Sequence, residues 1–422
     1  MHKLEFTLRQ HTPLIHFQHD QEGATLRATE VKPKLDRFIL ERLGNGSYED
    51  GLDVARKKEW MIGKQNTSES LNYKIDFEGI DEEDFSLKTS QKEVWNETEK
   101  KKVKVWKTED YPLLLANMGG KITKQELKNF VVYETVNSSI ITFESKLLET
   151  IKRDLPLFFF KNNFGNRQNK GFGSFYLDEK DSLYQDPLKL QNTNYYQYQK
   201  APHKDDIMND INVIYKIMKS GYNFPDHPIR MANGKKELDY DEKGKFAMYV
   251  RSFLSLYIEK YHRVGNEKKF IKETFFKRDV RIDKDSVEKF YVRSLLGITD
   301  FIEFRDKQRR GKIIFKSKNE NIERYPSPVT FKPIGCYVFI YIIAIPLPIT
   351  TFELSDGYSK IDLQTPHFRF DYTDFIKKFI SYIDVDVKKE LERLITLKNI
   401  NDASKPVLDF VNCLENITFT TT

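Results

Sequence analysis

Polar and apolar residues alternate at the start of the chain, which is the two-residue period of a half-buried β-strand. The apolar positions of this run are Leu4, Phe6 and Leu8. From Val31 onward, apolar residues recur every three or four positions, so the sequence predicts a helix over 31–43. Pro33 in its first turn and Gly44 just past its end agree with that assignment.

The pattern is less regular between residues 45 and 125. An alternating run at 71–77 predicts a strand. The stretch 81–107 is acidic at first and strongly basic at its end. We interpret this region, about 45–125, as an insertion or a long hairpin.

Two short β-rich runs, 130–133 and 140–143, come next. They predict a hairpin because the polar stretch Asn137–Ser139 lies between them. A helix over 144–154 follows, and Pro156 is expected to end it.

A glycine-rich loop at Phe158–Leu177 follows this helix and leads into a short apolar run. The order is therefore strand, helix, two strands, helix, loop and strand. This order is typical of a ferredoxin-like module. We assign residues 1–180 to it.

The second half repeats this mixture of helices and strands. Residues 180–204 are polar and rich in tyrosine without a period, and we interpret them as a connector. The patterns beyond them predict helices at 207–218 and 246–261, strands at 312–315, 329–331 and 337–345, and a helix at 373–398. We interpret 181–422 as a helix-decorated second module. The predicted fold class is α+β, with two ferredoxin-like, RRM-type (βαββαβ) modules.

Composition narrows the function classes. The 422 residues include 69 Lys and Arg against 63 Asp and Glu, a net charge of +6, so any polyanion site must be local. Cys336 and Cys413 lack metal-ligand spacing, which favours a reduced, cytoplasmic setting. The N-terminus is not of the signal-peptide type. The apolar run 336–345 is too short to cross a bilayer. No P-loop, GxSxG, HExxH or dinucleotide fingerprint occurs.

The glycine-rich loop is the first candidate site. Glycines let a backbone come close to a ligand, and neighbouring cations attract phosphates. Its candidate residues are Gly165, Arg167, Lys170, Gly171, Phe172, Gly173 and Ser174. Residues 170–173 resemble the opening of the RNP1 pattern, although Ser174 stands where that pattern has an aromatic residue. A strand-leading turn with a solvated basic tip is the alternative interpretation.

A second candidate is the start of the first predicted helix, where Arg27, Lys32 and Lys34 lie. Cations are disfavoured at a helix N-terminus unless an anion compensates them, so a phosphate site is a sensible interpretation. A solvated basic helix start is the alternative. The basic runs 307–312 and 100–104 are weaker candidates of the same kind.

Histidines are concentrated near the N-terminus. His16 and His19, with Asp20 nearby, could provide a general base. No third and fourth ligand follow at a recognisable spacing, so we predict no metal site and no cofactor.

Three stretches together resemble the RAMP superfamily of CRISPR-associated RNA-binding proteins. They are TPLIHF at 12–17 with LRATEVKPKLDRFI at 26–39, FGNRQNKGFGSF at 164–175, and RYPSPVTFKP at 324–333. The order of the three is most similar to the branch of the large two-module subunit, numbered one, of the Cmr-type (type III-B) effector complex.

The resemblance implies a non-catalytic, RNA-binding subunit of a cytoplasmic ribonucleoprotein that acts in antiviral defence. Such a subunit would hold guide RNA toward its 3′ end, or target RNA, beside other effector subunits. The implied RNA contacts are Arg27, Lys32, Gly165, Arg167, Lys170, Gly171 and Gly173. The alternative is a metal-independent endoribonuclease of the same superfamily that processes guide RNA with His16 and His19.

Overall fold

The computed structural model divides the chain into two compact units. Unit 1 is Met1–Asn192 together with the short segment Lys332–Gly335, and unit 2 is Thr193–Phe331 together with Cys336–Thr422. The division predicted from sequence lies after residue 180. The structure describes residues 1–15, 25–63, 69–83, 89–96, 101–108, 132–202, 204–223, 249–265, 267–276, 289–298, 301–305, 310–319, 325–343, 347, 349–389, 391 and 405–421.

Unit 1 is built on a four-stranded antiparallel sheet. Its described strands are β1 (His2–Gln10), β2 (Tyr73–Glu83), β3 (Thr89–Asn96), β4 (Lys101–Thr108), β5 (Val132–Thr142) and β6 (Phe175–Leu177). The sheet order is β2-β5-β1-β6, so the first strand of the chain is central. Strands β3 and β4 pair separately as an antiparallel hairpin, within the region for which an insertion or a long hairpin was predicted.

Unit 1 has four described α-helices. They are α1 (Ala28–Leu43), α2 (Tyr48–Lys57), α3 (Ser145–Lys161) and a short α4 (Pro187–Leu190). Helices α1 and α3 pack on the sheet, and α2 packs on α1. Every second residue of β1 points toward the helices, so Phe6 and Leu8 are buried while Glu5 and Arg9 are exposed. The strand prediction for the N-terminus is confirmed, and α2 was not predicted.

Two predictions for unit 1 are wrong. The hairpin predicted from the runs 130–133 and 140–143 does not form, because β5 runs straight through Asn137–Ser139 and pairs with both β1 and β2. Ser138 takes a buried position and donates from its hydroxyl to the Val136 carbonyl, which hides the strand period from a hydrophobic pattern. Pro156 does not end α3 either.

Helix α3 continues through Pro156 to Lys161. The side chain of Pro156 is buried in unit 1, and Phe158, Phe159 and Phe160 form the last buried turn of the helix. The helix begins at Ser145, as expected, but the glycine-rich loop begins only after Lys161. Packing of these phenylalanines outweighs the backbone hydrogen bond that the proline cannot donate.

Unit 2 contains two sheets of four strands and several helices. In chain order the described elements are β7 (Asn194–Tyr198), α5 (Lys204–Lys219), β8 (Tyr222–Asn223), β9 (Tyr249–Val250), α6 (Phe253–His262), α7 (Glu267–Phe276), a 3₁₀ helix (Val292–Leu296), β10 (Phe301–Arg305), β11 (Arg310–Ser317), β12 (Val329–Ile334, whose last three residues belong to unit 1), β13 (Tyr337–Ile342), β14 (Thr351–Ser355), β15 (Lys360–Gln364), α8 (Tyr372–Ser381), a π-helical turn (Tyr382–Val387), α9 (Lys405–Asn416) and β16 (Ile417–Thr420).

The two four-stranded sheets of unit 2 have the orders β12-β13-β7-β16 and β10-β11-β14-β15, and β8 pairs with β9 as a separate antiparallel ribbon. Strand β7 pairs antiparallel with both β13 and β16. Counted along the chain, the first of these sheets has the order second, third, first, fourth, and so has the sheet of unit 1. The structure confirms a mixed α and β fold with antiparallel sheets.

Three predictions for unit 2 need correction. The connector 180–204 contains strand β7, whose Tyr196 and Tyr198 are buried, because a tyrosine ring is largely apolar despite its hydroxyl. The helix predicted at 246–261 begins at Phe253, after the capping hydroxyl of Ser252. The helix predicted at 373–398 is α8 and its π-helical turn, and residues 392–400 lie outside the described part. Helix α5 and strands β11, β12 and β13 confirm the corresponding predictions.

Candidate nucleic-acid interface

The residues that leave β1 anchor the glycine-rich loop. The Thr12 hydroxyl donates to the Gly171 carbonyl at 2.6 Å and accepts from the Ser174 amide at 3.0 Å. The backbone continues this pairing, with Gly173 N donating to Pro13 O at 2.8 Å and His11 N to Ser174 O at 2.8 Å. The Thr-Pro pair therefore gives the loop a fixed edge to bind.

Hydrogen bonds also close the loop on itself. Phe164 N donates to Gly173 O at 2.9 Å, and the Asn163 side-chain amide donates to Gln168 O at 2.7 Å. A short 3₁₀ turn, Gln168–Lys170, forms the tip between these two ends. The ends of the loop are buried, including Phe172, and only residues 166–170 are half-buried. The loop is an ordered structure with a small open tip.

Two glycines are required by packing within unit 1. Gly165 has φ of +74°, and a Cβ there would lie 2.4 Å from the Ile15 carbonyl oxygen. Gly173 has φ of +64°, and its Cβ would lie 1.9 Å from the Phe164 carbonyl oxygen. At both positions the space that glycine leaves is filled by this chain, so these glycines shape the loop.

Arg167, at the tip of the loop, is unusual in its backbone conformation and in its side-chain surroundings. It adopts the left-handed conformation with φ of +58°, which is uncommon for a residue other than glycine. Its side chain forms no ion pair or hydrogen bond with any residue in the described ranges. Partial burial lowers the pKa of its guanidinium, and no carboxylate offsets this effect. Lys170 lies at the other end of the same turn, followed by Gly171 with φ of +82°.

The start of α1 is tied to the loop by Glu30. This carboxylate accepts from the Gly165 amide at 2.6 Å and from the Lys34 ammonium at 3.2 Å. Lys34 also donates to Gln168 Oε1 at 3.0 Å and to Asn163 O at 3.2 Å. Burial lowers the pKa of Lys34, with Glu30 acting in the opposite direction.

Lys32 and Arg27 have different surroundings. The Lys32 ammonium donates to Asp36 Oδ2 at 2.7 Å, Ser70 Oγ at 2.8 Å and Leu71 O at 2.9 Å. These three bonds use all the hydrogens of an ammonium group. Arg27 is the half-buried N-cap residue of α1 and does not cap the helix with its side chain. Of the predicted basic residues, the structure brings Lys34 to the loop and joins Lys32 to the residues before β2.

Lys332 was missed as a candidate, although it lies in the third motif that carries the family resemblance. Its side chain is completely buried in unit 1, where the ammonium donates to Asn162 O at 2.7 Å and to Phe175 O at 2.9 Å. Next to it, Pro333 O accepts from the Ser174 hydroxyl at 2.5 Å. Burial, followed by the charge of Lys34, keeps the pKa of Lys332 well below its ordinary value. The sequence signal that could have identified Lys332 is a lysine within an otherwise apolar β-strand pattern.

Comparison with models of known protein families shows which family the chain belongs to. The family model for the Cmr1 N-terminal domain matches residues 1–222, and the model for the Cmr1 C-terminal domain matches residues 249–402. The chain belongs to the Cmr1 family. Membership confirms the resemblance drawn from the three motifs and makes the chain a type III-B CRISPR effector subunit.

Two solved structures align with this Cmr1-family chain. One is apo Cmr1 from Pyrococcus furiosus, at 12% identity over 90% of this chain and 96% of that chain, with a TM-score of 0.35. The other is the type III-B Cmr-beta complex bound to cognate target RNA, at 13% identity over 81% and 94%, with a TM-score of 0.36. TM-scores this low transfer no residue role. No curated protein matches the chain.

The remaining candidate residues of this Cmr1-family chain are the N-terminal histidines and two basic runs. His16, His19 and residues 307–309 of the basic run lie outside the described residues, and nothing is described of the side chains of 310–312 and 101–104. Within the described ranges, no group of three His, Cys, Asp or Glu residues could hold a metal ion. None of the helices in those ranges is long and apolar enough to span a membrane.

Proposed function

We propose that this Cmr1-family subunit is a non-catalytic RNA-binding protein that holds the RNA backbone at the tip of its glycine-rich loop. The RNA is guide RNA, toward its 3′ end, or target RNA in the cytoplasmic effector that serves antiviral defence. The observation that carries the proposal is Arg167, a half-buried guanidinium with no carboxylate partner among the described residues. Family membership supports the ribonucleoprotein setting.

A partly desolvated cation is unfavourable unless an anion compensates it. The guanidinium group can donate two hydrogen bonds to the oxygens of a phosphate. The left-handed backbone conformation of Arg167 sets the direction in which its side chain leaves the loop. Lys34 lies behind the loop, while Glu30 is occupied by Lys34 and the Gly165 amide. The tip is therefore suited to a polyanion.

The predicted site residues take two roles in this proposal. Arg167 and Lys170 contact phosphates from the tip, with the amide of Gly171 close by and Arg27 contributing from the start of α1. Lys34, Gly165, Phe172, Gly173 and Ser174 hold the loop in shape, and Lys32 is likewise structural but ties α1 to the residues before β2. Contacts of this kind read charge and backbone shape, so binding is largely independent of sequence.

We also propose that the two sheets with matching strand order are the two ferredoxin-like modules. In each of them the first strand in the chain lies between the third and the fourth. Helices lie in the connection from the first strand to the second and in the connection from the third to the fourth. This connectivity is that of the βαββαβ module. Unit 2 then carries the sheet β10-β11-β14-β15 as an addition.

The test of the RNA site is Arg167→Gln in the full chain. We expect weaker binding to every single-stranded RNA sequence, and a plot of log K against log salt that is flatter by about 0.7 because one phosphate is no longer neutralised. Arg37→Gln is the matched control, because Arg37 also lies in unit 1 but pairs with Glu41 at an exposed position. Unchanged affinity with an unchanged salt slope in Arg167→Gln would refute the role of the loop.

The non-catalytic part of the proposal has its own test. Purified protein is incubated with labelled guide precursor in EDTA, and intact RNA is expected throughout. Specific cleavage that disappears in a His16→Ala, His19→Ala double variant would establish the endoribonuclease instead.

A further inference from the structure

In unit 2, where α6 ends and the chain approaches α8, the rings of Tyr261, His262 and Phe370 lie around that of Tyr257, with centroids 4.7, 6.0 and 5.5 Å from it, and Phe368 lies beside His262. We call the group of Tyr261, His262, Phe368 and Phe370 the aromatic corner. The ring of His262 is stacked on that of Phe368, with centroids 4.2 Å apart and planes 23° apart. The Phe370 ring centroid lies 6.2 Å from that of His262, with the planes 28° apart, so the His262 ring is stacked with both phenylalanines. Tyr261 is 44% exposed.

The sequence places rings and cations alternately in this corner. His367, Phe368, Arg369 and Phe370 follow one another before α8, and the two phenylalanines pack on the core of unit 2 while His367 and Arg369 are exposed. On the other side, α6 ends at His262, and Arg263 turns the chain with a left-handed φ of +54°. Arg263 is also exposed. An apolar ring surface is thereby bordered by positive charge.

The charges around the rings are predominantly positive. Neither Arg263 nor Arg369 forms an ion pair or side-chain hydrogen bond within the described ranges. The ammonium groups of Lys260 and Lys378 lie over the Tyr261 ring, at 5.3 and 4.3 Å from its centroid.

The carboxylates that α6 and the start of α8 carry are already engaged, and Glu259 of α6 pairs with Arg251. Asp374 accepts from Lys378 and from the Tyr257 hydroxyl, each at 2.6 Å. Asp371 caps α8 by accepting from the Asp374 amide at 3.0 Å. Two arginines thus remain for an anionic ligand, as Arg167 does in unit 1.

We propose that the aromatic corner is a second RNA-binding surface, on which unpaired bases stack on the rings while Arg263 and Arg369 hold the flanking phosphates. A base is one more planar ring added to a stack that the protein has already begun. Aromatic platforms with adjoining cations are suited to single strands, since base faces are covered in a duplex. Burial lowers the pKa of His262, which keeps its ring neutral near pH 7.

The experiment measures binding of the full chain to a fluorescently labelled oligouridylate and to a duplex RNA of equal length. The Tyr261→Ala, His262→Ala variant should bind the single strand at least about fivefold more weakly, with the salt slope unchanged, because stacking releases no counterions. Arg263→Gln with Arg369→Gln should weaken binding and flatten the slope by about 0.7 for each phosphate that is no longer neutralised.

Two control variants separate stacking from general damage. Tyr261→Phe with His262→Phe keeps the rings and should restore most of the affinity for the single strand. Tyr358→Ala removes a tyrosine that is 98% exposed elsewhere in unit 2 and should leave binding unchanged. Equal loss of single-stranded and duplex binding in the alanine variant would overturn the proposal.

The remaining outcomes also decide the matter. Normal RNA binding by the alanine variant overturns the proposal, and if that variant loses a copurifying effector subunit, the corner is a protein-docking surface. The arginine of the glycine-rich loop is tested separately, so an inert Arg167→Gln beside a defective corner variant rejects the loop site and keeps the corner. The reverse result rejects the corner and keeps the loop.

Discussion

At the scale of single residues, Lys332 shows how one side chain supports a site without touching a ligand. Its ammonium bridges the carbonyl of Asn162, just after α3, and that of Phe175, at the start of β6. These two positions are the two ends of the glycine-rich loop. A buried ammonium without a carboxylate is costly, so the bridge works against a penalty that an apolar side chain would not incur.

The pH dependence of stability should reveal this penalty. The pKa of Lys332 is lowered in the fold, so at pH values between its folded pKa and its ordinary value of about 10.5 the unfolded chain binds more protons. The free energy of unfolding therefore rises with pH in this window. Lys332→Met should reduce that rise, measured by urea unfolding between about pH 8 and pH 10.

Lys189→Met is the control, because the Lys189 side chain is 84% exposed. The slope with pH is the useful readout, since the stability at any single pH combines the removal of hydrogen bonds with relief of burial. Identical slopes in the wild type and in Lys332→Met would contradict the assignment of a strongly lowered pKa.

At the scale of elements, the glycine-rich loop depends on its two neighbours in the chain and on β1. Thr12, which leaves β1, holds Gly171 and Ser174, while α3 delivers the buried phenylalanines that end at Phe160. The positions of the helix N-terminus at Glu30 and of the loop are coupled through the Gly165 amide. The three segments form one rigid support for the tip.

Gly173→Ala tests how tightly this support is packed. Alanine at Gly173 must accept φ of +64° and a Cβ 1.9 Å from the Phe164 carbonyl oxygen. Gly335→Ala is the matched control, with φ of +56° and nothing within 4 Å of its Cβ. We expect a destabilisation of about 1–2 kcal/mol for Gly335→Ala from the backbone alone, and a clearly larger one for Gly173→Ala, by urea unfolding. Equal destabilisation would mean that the loop yields easily.

Sequence alone could place the elements that follow a simple hydrophobic period. β1, α1 and α5 were predictable because their apolar residues repeat at two or at three to four positions. Strand β5 was not, because Ser138 occupies a buried place in its period. The prediction ended helix α3 too early, because the rule that proline ends a helix considers only local backbone structure. Tertiary packing keeps the helix intact beyond Pro156.

The candidate site was predictable in its residue types and less so in its roles. The glycines, cations and Thr-Pro pair could be read from sequence, but their hydrogen-bond partners could not. Lys32 and Arg167 look alike in a sequence, yet one has three internal acceptors and the other has no partner in the described ranges. Separation of structural from ligand-facing cations required the fold.

At the scale of the whole molecule, the two units share a strand order that no sequence repeat reveals. β7 takes the central place in its sheet that β1 takes in unit 1, although one is tyrosine-rich and the other alternates aliphatic and charged residues. A sheet position requires a large apolar surface on one face, and different side chains can supply it. Two strands of different sequence can therefore take the same central position, because each buries an apolar face.

The segment Lys332–Gly335 makes unit 1 discontinuous in sequence, and this has a testable consequence. A fragment 1–192 lacks the donor to Asn162 O and Phe175 O and the acceptor for the Ser174 hydroxyl. Each buried polar group left without a partner costs about 1–3 kcal/mol. We expect the fragment to be less stable than the same unit in the full chain.

Amide hydrogen exchange is the measurement for this prediction. In the full chain the amides of Gly171, Gly173 and Ser174 are bonded to the Gln168 carbonyl, the Pro13 carbonyl and the Thr12 hydroxyl. In the fragment these amides should exchange faster, while the amides at the centre of β1 should exchange at comparable rates in both proteins, because β5 still pairs with β1. A synthetic peptide covering 325–336 should restore protection of the loop. Equal exchange of the loop in both proteins would mean that the segment adds nothing to the site.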